Sequence, residues 1–210
     1  MLKLVVGDRN FSSWSLRPWL AARQAGLVFD EVNIRLHVAG ARENILKHSP
    51  SGKVPCLIDG STVVWDSLAI CEYLAELAPS LWPADRAARA EARSVSAEMH
   101  SGFTPLRQNM GMDIRAAKPG QGRTPEVDAD IARIVAIWES CLENALSHHA
   151  TGGPFLFGTF SIADAMYAPV VWRFVTYAVA LPPASQAWSE AMLALPAMRE
   201  WQAGALAEAE

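Results

Sequence analysis

Val54-Pro55-Cys56-Leu57-Ile58-Asp59-Gly60-Ser61-Thr62-Val63-Val64-Trp65-Asp66-Ser67 contains two short apolar runs that are separated by a turn signal. Asp59-Gly60 favours a two-residue connection between antiparallel strands, so residues 54–58 and 62–65 are predicted to form a β-hairpin. Asp66 and Ser67 follow directly, and both residue types are favoured at helix starts. A helix is therefore predicted from residue 67 to about residue 77.

The sequence before the hairpin predicts a parallel unit. Residues 4–6 are a short apolar strand, and residues 15–25 carry apolar side chains at helical spacing before Gly26. Residues 29–34 alternate apolar and polar side chains, as a strand does, and residues 42–48 are predicted as a short helix. A helix between two strands favours a parallel pair. The predicted order of the first part is therefore β-α-β-α-β-β-α.

The character of the chain changes after a proline-bracketed linker at residues 78–83. The rest is predicted to be helical, apart from a Gly- and Pro-containing loop over residues 117–125. The predicted domains are an α/β domain over residues 1–81 and an all-helical domain over residues 86–210. The helices of the second domain are predicted at residues 86–115, 126–149, 162–179 and 187–195, with a short one after Pro196.

Composition excludes several classes of protein. Hydrophobic residues make up 51% of the chain and charged residues 19%, which is typical of a globular protein. The net charge of −4 argues against a nucleic-acid partner. The three cysteines are widely spaced, so neither a disulfide framework nor a metal site is predicted. Without a run of membrane-spanning length or a signal-peptide core, we expect a cytoplasmic protein that does not bind membranes.

Three serines, Ser12, Ser13 and Ser15, stand at the junction of the first strand and the first helix. One interpretation is helix capping, in which a serine oxygen satisfies a free backbone N–H group. The other is anion binding, because a helix N-terminus favours a negative charge and a nearby hydroxyl can donate to it. Capping alone needs one serine, so the sequence favours a functional role for at least one of the three.

Two further stretches are open to both a structural and a functional interpretation. Pro55 at a strand start is either an ordinary trans proline or part of a cis Val54-Pro55 bond that turns the Val54 backbone toward a ligand. Asp66-Ser67 is a strong helix N-cap, and the same groups could also hold an anion.

These segments, in this order and followed by helices, resemble the glutathione transferase superfamily. Residues 11–17 are similar to the serine-rich signature of its zeta class, with Trp14 where that class has cysteine. Lys53-Val54-Pro55 resembles the family's cis-proline loop, and Asp66-Ser67 resembles its γ-glutamyl clamp. Residues 158–164 resemble the buried capping box of its helical domain, with Ser161 and Asp164 as the capping pair. The resemblance implies a thioredoxin-like first domain and a helical second domain.

The resemblance also implies roles for individual residues. Ser12 would donate to the glutathione thiolate, with Ser13 as the alternative catalytic residue and Ser15 as the helix cap. Glutathione, the co-substrate, would be bound by Ser15, Arg17, Lys53, Val54, Pro55, Asp66 and Ser67. The pocket for the second substrate would include Phe11, Trp14, Thr104, Gln108 and Arg173.

Three functions remain open from the sequence. The first is a transferase that conjugates glutathione to a small electrophile, and the second is a glutathione-dependent cis-trans isomerase of the maleylacetoacetate type. The third is a non-catalytic binding module, which the serines disfavour because binding alone needs no donor to a thiolate. The resemblance further implies a homodimer.

Overall fold

The first part of the chain forms a four-stranded sheet with helices on both faces. The computed structural model describes residues 1–148 and 153–208. The strands, in the spatial order β2-β1-β3-β4, have β1 parallel to β2 and antiparallel to β3. The elements are β1 (Leu2–Gly7), α1 (Ser13–Gln24), β2 (Phe29–Ile34), α2 (Ala41–Leu46), β3 (Cys56–Asp59), β4 (Thr62–Trp65) and α3 (Ser67–Leu77).

Strand β1 lies in the interior because successive side chains point to opposite faces of the sheet. Leu4 and Val6 pack with the apolar side chains of α1 and α3, whereas Val5 packs with Ile34 and Ile45 on the other face. The predicted order β-α-β-α-β-β-α, with its parallel pair and its hairpin, is confirmed.

The second part is helical. A short 3₁₀ turn (Pro79–Leu81) leads into it, and the predicted domain bounds of 1–81 and 86–210 stay a prediction. Within residues 1–148 and 153–208, no helix combines the length and the apolar character that crossing a membrane requires. The helices are α4 (Arg86–Ser101), α5 (Thr104–Asn109), α6 (Pro125–His148), α7 (Ile162–Tyr177), α8 (Pro183–Ala194) and α9 (Pro196–Ala207).

The single helix predicted over residues 86–115 is wrong, because the structure breaks it into α4 and α5. Phe103 has a φ of 60°, a left-handed conformation that ends α4 beyond Gly102, and Pro105 stands in the first turn of α5. Residues 111–124 are not helical. The predicted end of the next helix, residue 149, lies outside the described residues.

Helix α7 is buried along almost its whole length and packs against both α1 and α4. The predicted capping box at its start is present. The Asp164 carboxylate accepts from the Ser161 backbone at 2.9 Å, from the Leu156 backbone at 3.0 Å and from the Trp188 indole at 2.9 Å. These bonds fix the N-terminal end of α7 and so position the side chains that α7 presents to α1.

Candidate active site

A pocket of about 470 Å³ opens where the α/β part meets the end of α4. It brings together three segments that the sequence analysis identified separately: the first turn of α1, the loop before β3 and the start of α3. Its lining residues are Trp14, Ser51, Lys53, Val54, Pro55, Trp65, Asp66, Ser67 and His100.

The start of α3 gives the pocket an acidic and a neutral polar group. Asp66 has φ 79° and ψ 135°, a backbone conformation that residues other than glycine rarely adopt. Such conformations are concentrated at functional sites. Its Oδ1 caps α3 by accepting from the backbone N–H groups of Leu68 at 2.9 Å and Ala69 at 3.2 Å. The Ser67 hydroxyl is buried and has no hydrogen-bond partner among the described residues. Asp66 is thus an N-cap, and Ser67 retains a free hydroxyl beside the helix N-terminus.

The loop before β3 forms another wall. The Val54–Pro55 peptide bond is cis, as one of the two sequence interpretations expected. Val54 is half-buried, whereas Lys53 is exposed at the pocket edge and its backbone N–H bonds the Ser51 hydroxyl at 3.2 Å. This wall therefore offers backbone groups from Val54 and an ammonium from Lys53.

The three serines have different surroundings. The Ser12 hydroxyl donates to the Ser15 hydroxyl at 2.7 Å, and Ser15 also accepts from the Gly7 backbone N–H at 3.1 Å. Ser12 occupies the N-cap position of α1 without a side-chain capping bond. The expectation that Ser15 caps α1 is therefore wrong, since its hydroxyl ties the helix to the end of β1. Ser15 is fully buried, so the structure gives no support to direct contact with glutathione.

Ser13 is linked to the helical part of the chain. Arg173 on α7 donates from Nη2 to the Ser13 hydroxyl at 3.3 Å and from Nη1 to the Met110 carbonyl. Burial, together with a smaller effect from the charge of nearby Arg107, lowers the pKa of Arg173 to about 10. The described residues place no carboxylate in ion-pair contact with Arg173. Within the described part of the chain, Ser13 therefore keeps its own hydrogen free to donate, next to a buried cation that lacks an anionic partner there.

Trp14 stands over two more arginines. Its ring centroid is 4.3 Å from the guanidinium carbon of Arg17 and 4.6 Å from that of Arg107. Arg17 is fully buried, donates from Nε to the Met166 carbonyl at 3.2 Å and has no partner for Nη1 or Nη2 among the described residues. Arg17 was expected to bind glutathione, but in the structure it lies beneath the Trp14 ring with no exposed surface.

The remaining predicted residues lie at the edge of this region or outside it. Phe11 is partly exposed and packs edge-on against His37, with ring centroids 5.3 Å apart. Thr104 and Gln108 are exposed on α5 and do not line the pocket. Whether these three residues contact a second substrate stays a prediction.

No individual role was predicted for His100 or Arg107. His100 is the next-to-last residue of α4 and faces Asp66, with Nε2 3.2 Å from Oδ2. Arg107 donates to the Met99 and Gly102 carbonyls at the end of α4, so it reaches Trp14 only because α5 folds back across that end. Gly102 and Pro105 were the residues in the sequence that could have predicted the break between α4 and α5.

The cysteines do not take part in the site. Cys56, Cys71 and Cys141 are all buried and unpaired. Burial raises the pKa of all three thiols, to about 12 for Cys71 and Cys141, so they remain protonated at neutral pH. The described residues contain no group of three or more His, Cys, Asp or Glu side chains that could hold a metal.

Comparison with known proteins places this architecture in a family. Residues 11–77 match the glutathione S-transferase N-terminal domain, and residues 121–202 match the glutathione S-transferase C-terminal domain. The chain is 32% identical over 182 residues to maleylacetoacetate isomerase of Mus musculus, covering 83% of this chain and 79% of that protein. It is 29% identical over 170 residues to a zeta class glutathione S-transferase of Euphorbia esula, covering 79% and 73%.

Two further matches differ in extent. A probable maleylacetoacetate isomerase of Caenorhabditis elegans is 34% identical over 100 residues, which is 47% of this chain and 46% of that protein. This chain therefore aligns with less than half of that relative. A solved structure of a glutathione transferase homolog from Burkholderia, with bound glutathione, is 25% identical, covers 99% of both chains and has a TM-score of 0.65.

The fold and the pocket together define a thioredoxin-like domain whose pocket is completed by the end of a helix from the second, helical part. The chain belongs to the glutathione S-transferase family. The predicted fold class and the resemblance to zeta class members are confirmed.

Proposed function

We propose that the chain is a transferase that binds glutathione, stabilises its thiolate with a serine hydroxyl and directs the thiolate at a small electrophile. The observation that carries the proposal is the position of Trp14, which directly follows Ser12 and Ser13 in the chain and lines the same pocket as Asp66 and Ser67. One end of an extended tripeptide could therefore be held at α3 while its thiol lies at the start of α1.

The binding step would use complementary charges. The Asp66 carboxylate would attract the ammonium of the γ-glutamyl residue, and the free Ser67 hydroxyl with its backbone N–H would bond the adjacent carboxylate. Val54 would pair its backbone with the cysteinyl residue of glutathione. Lys53 is suited by charge and exposure to the glycine carboxylate at the other end.

The activation step requires only a modest stabilisation of the glutathione thiolate relative to the thiol. A free thiol with a pKa near 8.5 is only about 3% ionised at pH 7. A hydrogen bond to a charged acceptor contributes roughly 1.5–3 kcal/mol, and the N-terminus of a helix adds about 0.3–1 kcal/mol. Because one pKa unit corresponds to about 1.36 kcal/mol, the thiol pKa would fall by roughly 1.3–3 units, which ionises about 40% or more of the thiol at pH 7.

We propose Ser12 as the donor and Ser13 as the alternative. The Ser15 oxygen accepts from the Gly7 backbone N–H, so the Ser15 hydrogen can rotate toward the Ser12 oxygen. The Ser12–Ser15 bond then runs in the opposite direction, and the Ser12 hydrogen is free to bond the thiolate. Ser13 needs no such reversal, because it already accepts from Arg173. In either case the hydroxyl stabilises the thiolate without a metal or a general base.

A second candidate function is glutathione-dependent cis-trans isomerisation. Three relatives carry the name maleylacetoacetate isomerase, one of them as a probable one, and the buried Arg173 has no carboxylate partner among the described residues. A buried guanidinium without a carboxylate partner is energetically costly, and a carboxylate of the substrate would lower that cost by pairing with it. Trp14 argues against this function, because its ring narrows the space beside the serines.

A homodimer, a cytoplasmic location and a role in detoxification belong to the proposal that the chain is a glutathione transferase.

The test is an activity screen of the purified protein with glutathione. Neutral aryl and epoxide electrophiles, an α,β-unsaturated carboxylate and a maleyl keto acid would each be supplied separately. We expect conjugation of at least one electrophile and a thiolate absorbance in ultraviolet difference spectra of the glutathione complex. Glutathione binding without thiolate absorbance or turnover would favour the non-catalytic module, and isomerisation without conjugation would favour the second candidate.

A further inference from the structure

His100 occupies a position that the proposed glutathione site does not account for. Among the described residues that line the pocket, it alone comes from the helical part of the chain. Its Nε2 lies 3.2 Å from Asp66 Oδ2, and its ring packs edge-on against Trp14 with centroids 5.4 Å apart. About a quarter of its side chain is exposed. The imidazole thus contacts both the acidic end and the aromatic wall of the pocket.

The contact with His100 determines how the Asp66 carboxylate can accept a hydrogen bond from a ligand. Oδ1 of Asp66 is committed to the backbone N–H groups of α3, which leaves Oδ2 for an incoming ammonium. In the structure Oδ2 is already in contact with His100. A carboxylate oxygen can accept two hydrogen bonds, so a neutral imidazole and an ammonium can share it. An imidazolium and an ammonium would instead place two positive charges at one oxygen.

The charged groups around His100 set its protonation state. Asp66 faces it from the start of α3, Arg17 from α1 and Arg107 from α5. Burial lowers the pKa of His100 most, Asp66 opposes that effect, and the two arginines lower the pKa further. Helix α7, which also packs on α4, places the uncharged Tyr167 hydroxyl against the Val95 carbonyl. The pKa of His100 therefore lies below the ordinary histidine value, so the imidazole is neutral at pH 7 and gains its proton only at acidic pH.

We infer that His100 is a ligand-binding residue of the γ-glutamyl subsite, which shares the Asp66 carboxylate with the ammonium of glutathione when neutral and competes with that ammonium when protonated. The inference rests on the proposed role of Asp66 and adds to it a pH dependence of binding. The ammonium disfavours the imidazolium, so binding in the acidic range releases a proton. Affinity therefore falls as pH falls through the range in which His100 becomes charged, by at most about tenfold per pH unit for one linked proton.

The experiment is calorimetric titration with S-methylglutathione, whose blocked thiol cannot titrate but which retains the γ-glutamyl ammonium. Dissociation constants would be measured from pH 5.0 to 7.5, a window above the ordinary pKa values of carboxyl groups, near 4. We expect affinity to rise at least about threefold across the window in the unaltered protein. We expect His100→Gln, whose amide can still donate to Asp66, to bind with no pH dependence.

Three variants keep the result interpretable. His48→Gln removes a histidine outside the pocket and should retain the full pH dependence. His100→Asn repeats the test with a shorter amide, and circular dichroism at each pH checks that every variant is folded. An unchanged slope in both His100 variants would overturn the inference. Asp66→Asn tests the proposed function separately: if it leaves affinity unchanged at pH 7.5, the clamp itself is wrong, whatever His100 does.

Discussion

The Ser12 hydroxyl lies 2.7 Å from the Ser15 hydroxyl, and Ser15 is in turn held by the backbone N–H of Gly7 at the end of β1. The serine proposed to stabilise the thiolate is thus the outer member of a short chain of hydrogen bonds that begins in the central strand of the sheet. Such a chain fixes the position of the Ser12 oxygen before the ligand arrives, and only the direction of the Ser12–Ser15 hydrogen bond has to reverse for Ser12 to donate to the thiolate.

The first prediction concerns the thiolate donor. In Ser12→Ala the pKa of the bound glutathione thiol should rise by at least about one unit, because a charge-assisted hydrogen bond is lost. Ultraviolet titration of the thiolate absorbance in the complex would measure it. Ser15→Ala should raise that pKa by less, since it removes only the support of Ser12. If Ser13→Ala raises the pKa and Ser12→Ala does not, the donor is the hydroxyl that contacts Arg173.

The second prediction concerns the start of α3. Asp66→Ala should weaken glutathione binding by about 1–3 kcal/mol, the range for losing a hydrogen bond to a charged group. Ser67→Ala should weaken it by about 0.5–1.5 kcal/mol, as expected for one hydroxyl. Calorimetry at pH 7.5 gives both values. Asp85→Ala serves as the control because it removes the N-cap of α4, outside the pocket. Equal affinities in all three variants would remove the clamp assignment.

The third prediction concerns Arg173 and the charge of the second substrate. Arg173→Met should lower kcat/KM for an anionic electrophile by about 10- to 150-fold more than for a neutral one, equivalent to roughly 1.5–3 kcal/mol of charge-assisted bonding. Steady-state kinetics with two electrophiles of similar size would measure the ratio. An equal loss on both substrates would mean that Arg173 supports Ser13 and α7 and does not recognise a carboxylate.

The fourth prediction concerns the buried carboxylate at the start of α7. Asp164→Ala leaves donors on Leu156, Ser161 and Trp188 without their acceptor. The free energy of unfolding should fall by about 2–4 kcal/mol, because several buried groups lose a bond together. Urea denaturation would measure it. The matched control is Asp128→Ala, which breaks only the exposed ion pair with Arg123 and should cost less than about 1 kcal/mol.

The fifth prediction concerns assembly. Each subunit is 22.8 kDa, and we expect a light-scattering mass of twice that value at micromolar concentration. Several large apolar side chains on the α/β part are exposed and would be covered by a partner, among them Val63, Trp65 and Leu77. A mass equal to one subunit at that concentration would contradict this prediction.

Local signals made the α/β part predictable. Strand alternation, the Asp59-Gly60 turn and the capping residues at positions 66 and 67 act over a few neighbouring residues, and the structure reproduces each of them. The break between α4 and α5 was missed because the alanine-rich helical pattern outweighed the local signals of Gly102 and Pro105. Helical periodicity reports which face is buried, but it does not report a left-handed residue such as Phe103.

The contacts that complete the site could not be predicted in the same way. The contacts between His100 and Asp66, and between Arg107 and Trp14, each join side chains from separate elements. They depend on the angles at which α4 and α5 pack against the sheet domain. Those angles follow from the summed packing of many apolar side chains, and no short stretch of sequence specifies them.

The bond between Arg173 and Ser13 joins residues that are 160 positions apart. At roughly 5–20 residues per second, a ribosome needs about 8–30 s to add that much chain. During this interval the sheet domain can fold with its serines in place but without the α7 guanidinium beside them. The nascent sheet domain therefore lacks the guanidinium beside Ser13 until α7 has left the ribosome and docked.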